Sequence, residues 1–163
     1  PYTLRGNRHI LVIVEMCSKY PFAVALRDKT ALSVAEGLWS YITMFGPPSE
    51  IMSDNGTEFA NNVVTALCSK IKTSRVFTAP YNPRVNGMVE RFNRTLKTTL
   101  RKLSHAHPAD WDLWLDTALL AYRTRVHDST KVTPFELVQC PSTTSFWPRT
   151  RWQLKEGGCV AVP

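Results

Sequence analysis

The sequence predicts an α/β domain built around one mixed sheet. Three observations carry this. An unbroken β-branched run lies near the start, apolar strands and helices alternate through the first half, and helices alone follow. The chain has 163 residues, 44% of them hydrophobic and 20% charged, which suits a single domain with a real core and argues against disorder throughout.

His9–Glu15 (HILVIVE) is continuous enough for a strand buried on both faces. Tyr20–Leu26 is the second strand, and the short Lys19–Pro21 connection makes it an antiparallel neighbour. Thr30–Phe45 reads as a helix, with Ala31, Val34, Ala35, Leu38, Ile42 and Phe45 at helical spacing, stopped by Gly46-Pro47-Pro48. Glu50–Ser53 is the third strand, Asn61–Ile71 a helix, Ser74–Thr78 a short strand, and Ala79–Gly87 a loop with two prolines and a glycine. From Val89 to Leu103, Phe92, Leu96, Leu100 and Leu103 form one helical stripe. A helix follows Pro108, packing through Trp111, Trp114, Leu115, Ala118, Leu119 and Tyr122, and Thr133-Pro134 starts a shorter one. Beyond Cys140 the pattern breaks down, and Leu154–Pro163 reads as one strand without partners.

The net charge of +7 points to a polyanion, nucleic acid ahead of an anionic membrane surface. No apolar run approaches the roughly 18 residues a bilayer span needs. Cys17, Cys68, Cys140 and Cys159 are scattered and make no zinc pattern with His9, His105, His107 and His127, so reduced thiols are expected. Cys68 and Cys140 fall on apolar helix faces as core residues. No side-chain nucleophile is implied.

Two carboxylates stand out. Asp54 follows the third strand in SDNGTEF, and Glu90 opens the amphipathic helix in NGMVERFNR, with the 35 residues 55–89 between them. A carboxylate at a strand's carboxyl end and another on a helix packed across that edge can share a hard cation such as Mg²⁺. Asp-Asn-Gly is also a good turn sequence, and the helix dipole favours Glu near a helix start, so each residue alone has a structural reading. Glu90, Arg94, Lys97 and Arg101 gather on one helix face. From residue 90 to 103 there are five basic side chains and one acidic, more one-sided than a merely solvated face. Such a row grips phosphates without reading bases.

At these residues the sequence resembles the integrase catalytic core of gypsy-type long-terminal-repeat retrotransposons, relatives of retroviral integrases. The stretches GNRHILVIVE, SKYPFAVALRDKTA, FGPPSEIMSDNGTEF, APYNPRVNGMVERFNRTLK and LLAYRTRVHDSTKVTPFEL carry the likeness over roughly four-fifths of the chain. The resemblance implies a ribonuclease-H-like mixed sheet flanked by helices and a D,D-35-E site binding two Mg²⁺ or Mn²⁺ ions. Such ions activate the nucleophile and stabilise the leaving oxygen when DNA ends are processed and joined to target DNA. Asp54 and Glu90 match the second and third carboxylates, as metal ligands and catalytic residues. Arg94, Lys97 and Arg101 on the helix, with Tyr81, Asn82, Arg84, Asn86 and Gly87 in a mobile loop, are the implied DNA contacts. DNA partners, homo-oligomerisation of the complete protein, nuclear location and no membrane association follow from the same likeness.

The family's first Asp lies on a strand upstream of Pro1, so this chain is expected to lack the central strand and to be inactive alone. Glu15 is not at a ligand position and is left outside the site. Losing that strand is expected to expose ladder groups on His9–Glu15 and Glu50–Ser53 and leave the fragment marginally folded. Arg84 stands where a Gln is usual. Residues 1–140 are read as the core, and 141–163 as an irregular tail, with the segment from Leu154 resembling the first strand of a following β-barrel. The alternative to an enzyme fragment is a catalytically inactive or domesticated nucleic-acid-binding remnant.

Overall fold

The computed structural model describes residues 2–54, 56–77, 83–139 and 158–161, with 83–86, 139 and 158–161 described by backbone alone. Five strands form one sheet: β1 (His9–Glu15), β2 (Pro21–Leu26), β3 (Glu50–Ser53), β4 (Ser74–Phe77) and β5 (Gly158–Ala161), in the order β2-β1-β5-β3-β4. β1 pairs antiparallel with β2, His9 facing Leu26 and Val14 facing Pro21. β3 and β4 are parallel, Glu50 beside Ser74 and Ser53 beside Phe77.

β1 is buried on both sides, as its unbroken apolar run predicts, and alternation sorts its side chains into two cores. Leu11 and Ile13 face α1 (Ala31–Phe45) and α2 (Asn62–Lys70), in a core with Phe22, Leu26, Val34, Leu38, Tyr41, Ile51, Phe59 and Cys68. Ile10, Val12 and Val14 face the opposite way, toward α3 (Pro83–Leu103) and α4 (Leu115–Arg123), in a core with Val89, Phe92, Leu96, Leu100, Trp111 and Leu119. Each large apolar side chain fully buried this way contributes roughly 1.5–3 kcal/mol. The helix starts are capped by side chains. Thr30 accepts from Ser33 N–H, and Asn61 accepts from Val64 N–H. Thr133 and Glu136 cap each other's backbone at α5 (Pro134–Gln139).

Three expectations need correction. The slot between β1 and β3 is filled: β5 runs antiparallel to β1, with Val12 opposite Ala161 and Glu15 opposite Gly158, and parallel to β3, with Met52 beside Cys159. The C-terminal strand therefore has partners on both edges, and the inner edges of β1 and β3 are paired instead of bare. Residues 83–87, expected in a loop, are helical, because α3 starts at Pro83, where a first-turn proline needs no N–H partner, and Glu90 therefore lies two turns into the helix instead of opening it. The helix after Pro108 begins as a 3₁₀ segment, Pro108–Trp114, and becomes α-helical only at Leu115.

Glu15 has a local task. Its carboxylate accepts from Cys17 N–H at 2.9 Å and from Ser18 N–H and Oγ–H at 2.6 Å each, closing the β1–β2 turn in which Lys19 takes φ 62°. It faces Gly158, whose other neighbour is Ile51, three residues before Asp54.

Candidate functional site

β3 ends in buried Ser53, and the next residue, Asp54, is exposed. The turn reading of Asp-Asn-Gly is correct as far as it goes: Asp54 Oδ1 accepts from Gly56 N–H at 3.1 Å. One carboxylate oxygen makes that local contact, and the exposed group keeps lone pairs for another ligand. The Gly56 carbonyl then accepts from Phe59 N–H at 2.9 Å and Ala60 N–H at 2.8 Å, folding the loop back until Phe59 is buried at 3% exposure.

That turn brings in a carboxylate the sequence reading missed. A Cβ placed on Gly56 would lie 2.7 Å from Glu58 Oε2 and 3.1 Å from Asp54 Oδ1, so both acidic side chains reach the same glycine. Asp-x-x-x-Glu across a tight turn was the available signal.

Glu90 sits on α3 directly after Val89, which is 2% exposed, and two residues before Phe92, also 2%. Burial on both sides fixes the rotation of the helix and turns Glu90 outward, where it has no hydrogen-bond partner among the described residues. The buried α3 stripe packs on the sheet face that Met52 joins. Arg94, Lys97 and Arg101 are all exposed along the same helix, as the spacing requires. Of the other expected DNA contacts, Tyr81 and Asn82 lie outside the described residues. Arg84 and Asn86 are in the first turns of α3 by backbone, and Gly87 is half-buried within it.

Hard oxygen donors on exposed carboxylates fit a divalent cation of the Mg²⁺ type, which keeps several waters and needs only one or two protein carboxylates. No cluster of three or more ligating side chains occurs among the described residues. Cys68 is buried, and burial pushes its thiol pKa up, the wrong direction for a nucleophile. No helix of the described residues is long and apolar enough to cross a membrane.

The family model for the integrase core domain matches residues 2–83, a span that contains Asp54 and stops short of Glu90. A Retrovirus-related Pol polyprotein from transposon 412 of Drosophila melanogaster is 30% identical over 139 residues, covering 85% of this chain and 11% of that protein. This chain thus spans about a tenth of the length of the curated relatives it matches. Among solved structures, the simian T-cell lymphotropic virus intasome in complex with the PP2A regulatory subunit B56 gamma aligns with a TM-score of 0.74 at 28% identity, covering 88% of this chain and 52% of that one. The HTLV-2 integrase catalytic core in complex with magnesium, in trimeric form, aligns with a TM-score of 0.69 at 20% identity, covering 84% and 89%. The fold is that of integrase catalytic cores, a ribonuclease-H-like mixed sheet between helices.

Proposed function

The chain belongs to the integrase core domain family, and from that membership we propose that it is the core portion of a retrotransposon integrase of gypsy type, with Asp54 and Glu90 holding divalent metal beside bound DNA. One observation carries the reading. α3 packs Met88, Val89 and Phe92 on the sheet face shared by Met52, Glu90 directly follows Val89, and Asp54 stands two residues beyond Met52. Asp54 directly follows the end of β3 and Glu90 lies two turns into α3, which packs on the sheet face that Met52 joins, so a strand end and a helix beside it can offer acidic groups to one region.

Within that reading Asp54 and Glu90 would hold Mg²⁺ or Mn²⁺, and such an ion supplies charge stabilisation and activation of the attacking oxygen in phosphodiester chemistry. The Gly56 N–H restrains the Asp54 carboxylate, and the buried neighbours of Glu90 fix the pitch of its helix. Arg94, Lys97 and Arg101 would run phosphates along α3 toward that point, giving register without sequence preference. DNA ends and target DNA are the proposed partners, self-association and nuclear action the proposed context. β5 places Gly-Cys-Val-Ala between β1 and β3 and brings no carboxylate there, so the isolated chain is proposed to bind metal and DNA without joining strands.

The test is duplex binding by fluorescence anisotropy with and without Mn²⁺. Mn²⁺ should tighten binding by the chain and fail to do so for Asp54→Asn and Glu90→Gln. A Mn²⁺ effect that survives both substitutions would refute the metal assignment. Strand transfer by the isolated chain that Asp54→Asn leaves untouched would refute it independently.

A further inference from the structure

We infer that Arg75 is a positioning residue for the loop that carries Asp54 and Glu58, an inference that rests on the metal reading of Asp54. Arg75 lies on β4, beside Ile51 in the parallel register, and two residues before Phe77, which lies beside Ser53. Its side chain crosses to the segment following β3. Nη2 donates to the carbonyl oxygen of Phe59, and Nη1 donates to Thr65 Oγ1 on α2 at 2.6 Å. The guanidinium carbon sits 4.9 Å from the centre of the Phe77 ring, so the fork is braced from its own strand.

The contacts form a continuous relay. Arg75 holds the Phe59 carbonyl; the Phe59 N–H bonds the Gly56 carbonyl at 2.9 Å; the Gly56 N–H bonds Asp54 Oδ1 at 3.1 Å. Asn61 adds a second tie, its Nδ2 donating to the Glu58 carbonyl at 2.6 Å while its Oδ1 caps α2 by accepting from Val64 N–H at 3.0 Å. A planar guanidinium can serve two acceptors at a fixed angle, one on the loop and one on the helix, whereas an ammonium on a flexible stem serves them one at a time. The Phe59 ring anchors the loop at one point. Arg75 fixes its orientation about that point, and with it the direction of the Asp54 carboxylate.

The experiment compares Arg75→Ala, Arg75→Lys and Thr65→Val in the full chain. Amide hydrogen exchange is read at Gly56, Phe59 and Ala60 with the β1 amides as internal reference, and Mn²⁺ affinity by water-proton relaxation. Arg75→Ala should speed exchange at the three loop amides about tenfold relative to β1 and weaken Mn²⁺ binding at least about threefold. Arg75→Lys should recover part of both, and Thr65→Val, which keeps the charge and the Phe59 contact, should fall between wild type and Ala. Exchange that rises equally in β1 and the loop would mean a merely structural arginine and overturn the proposal. So would faster loop exchange with unchanged Mn²⁺ affinity while Asp54→Asn abolishes Mn²⁺ binding. If Asp54→Asn leaves Mn²⁺ affinity unaltered, the metal reading fails, and the loop amides still decide whether Arg75 holds the turn. Should Arg75→Ala fail to fold, Thr65→Val carries the comparison, and normal loop exchange in that variant overturns the proposal.

Discussion

Arg123 donates from both Nε and Nη2 to the carbonyl oxygen of Pro21, at 3.0 and 2.9 Å, fastening the end of α4 to the first residue of β2. The same guanidinium lies 4.6 Å from the centre of the Tyr20 ring, and burial lowers its pKa. The charge stays, because the ordinary value is so high, and its desolvation is offset by the double hydrogen bond and the ring face.

Replacing Arg123 by Met should therefore cost about 1.5–3 kcal/mol, the range for a hydrogen bond to a charged group, since the Pro21 carbonyl loses its side-chain donor. Urea denaturation followed by tryptophan fluorescence reads this. Unchanged stability would show that water replaces the guanidinium at no cost.

Packing between α1 and β1 depends on the absence of a side chain at residue 37. A Cβ there would lie 2.6 Å from Leu11 Cδ2 and 3.0 Å from Val24 Cγ1, and Leu11 is itself fully buried. Gly37→Ala gains up to about 1 kcal/mol of helix propensity, against about 1–3 kcal/mol for overpacking a filled core. The balance predicts net destabilisation, larger for Gly37→Val. A raised melting temperature in Gly37→Ala would contradict it.

β5 is expected to contribute to stability through backbone pairing, since it serves Val12–Glu15 on one side and Ile51–Met52 on the other. Val160→Pro removes one central N–H from this ladder, and a buried backbone group left unpaired costs about 1–3 kcal/mol. The denaturation midpoint should fall, with faster amide exchange concentrated in β1 and β3. Exchange there that matches the unmutated chain would count against β5 as the central strand.

At the start of α1, Asp28 Oδ1 accepts from Thr30 N–H, Thr30 Oγ–H and Ser33 Oγ–H. Hydrogen bonding to the Ser33 side chain, then to Thr30, lowers its pKa from 3.8 to about 2. Because the folded value lies below the unfolded one, the contribution is fully present above about pH 4 and is lost as pH falls toward 2. Carboxyl chemical shifts should titrate Asp28 near the low end of that window. In Asp28→Asn the exchange protection of the first turn of α1 should no longer change across it.

DNA affinity should depend on salt through the exposed cations of α3. Removing one phosphate contact lowers the slope of log affinity against log salt by about 0.9 on duplex DNA. Arg94→Ala and Lys97→Ala should each approach that change on duplexes of any sequence. A slope unmoved by both would place the DNA elsewhere on the surface.

Much of this fold was legible in the chain because local signals and burial agreed. The β-branched run at residues 9–15 has no comfortable helical alternative, and the stripe at residues 92, 96 and 100 leaves Glu90 and the basic row only one side to occupy. Asp54 was legible as well, since a turn sequence after a strand puts a carboxylate at a sheet edge whatever lies beyond it. Glu58 and Arg75 were not. Both are placed by loop geometry, and the Arg75–Phe59 contact spans 16 residues whose separation carries no period.

The residues alone determined the two-sided burial of β1, the antiparallel pairing with β2 and the outward face of α3, because these follow from side-chain period and backbone propensity over a few neighbours. The tertiary structure decided what fills the sheet between β1 and β3. Four small and apolar residues near the C-terminus have no local pattern strong enough to name a partner. Only the slot between two open ladders, whose backbone groups are costly to leave unpaired, selects where they go.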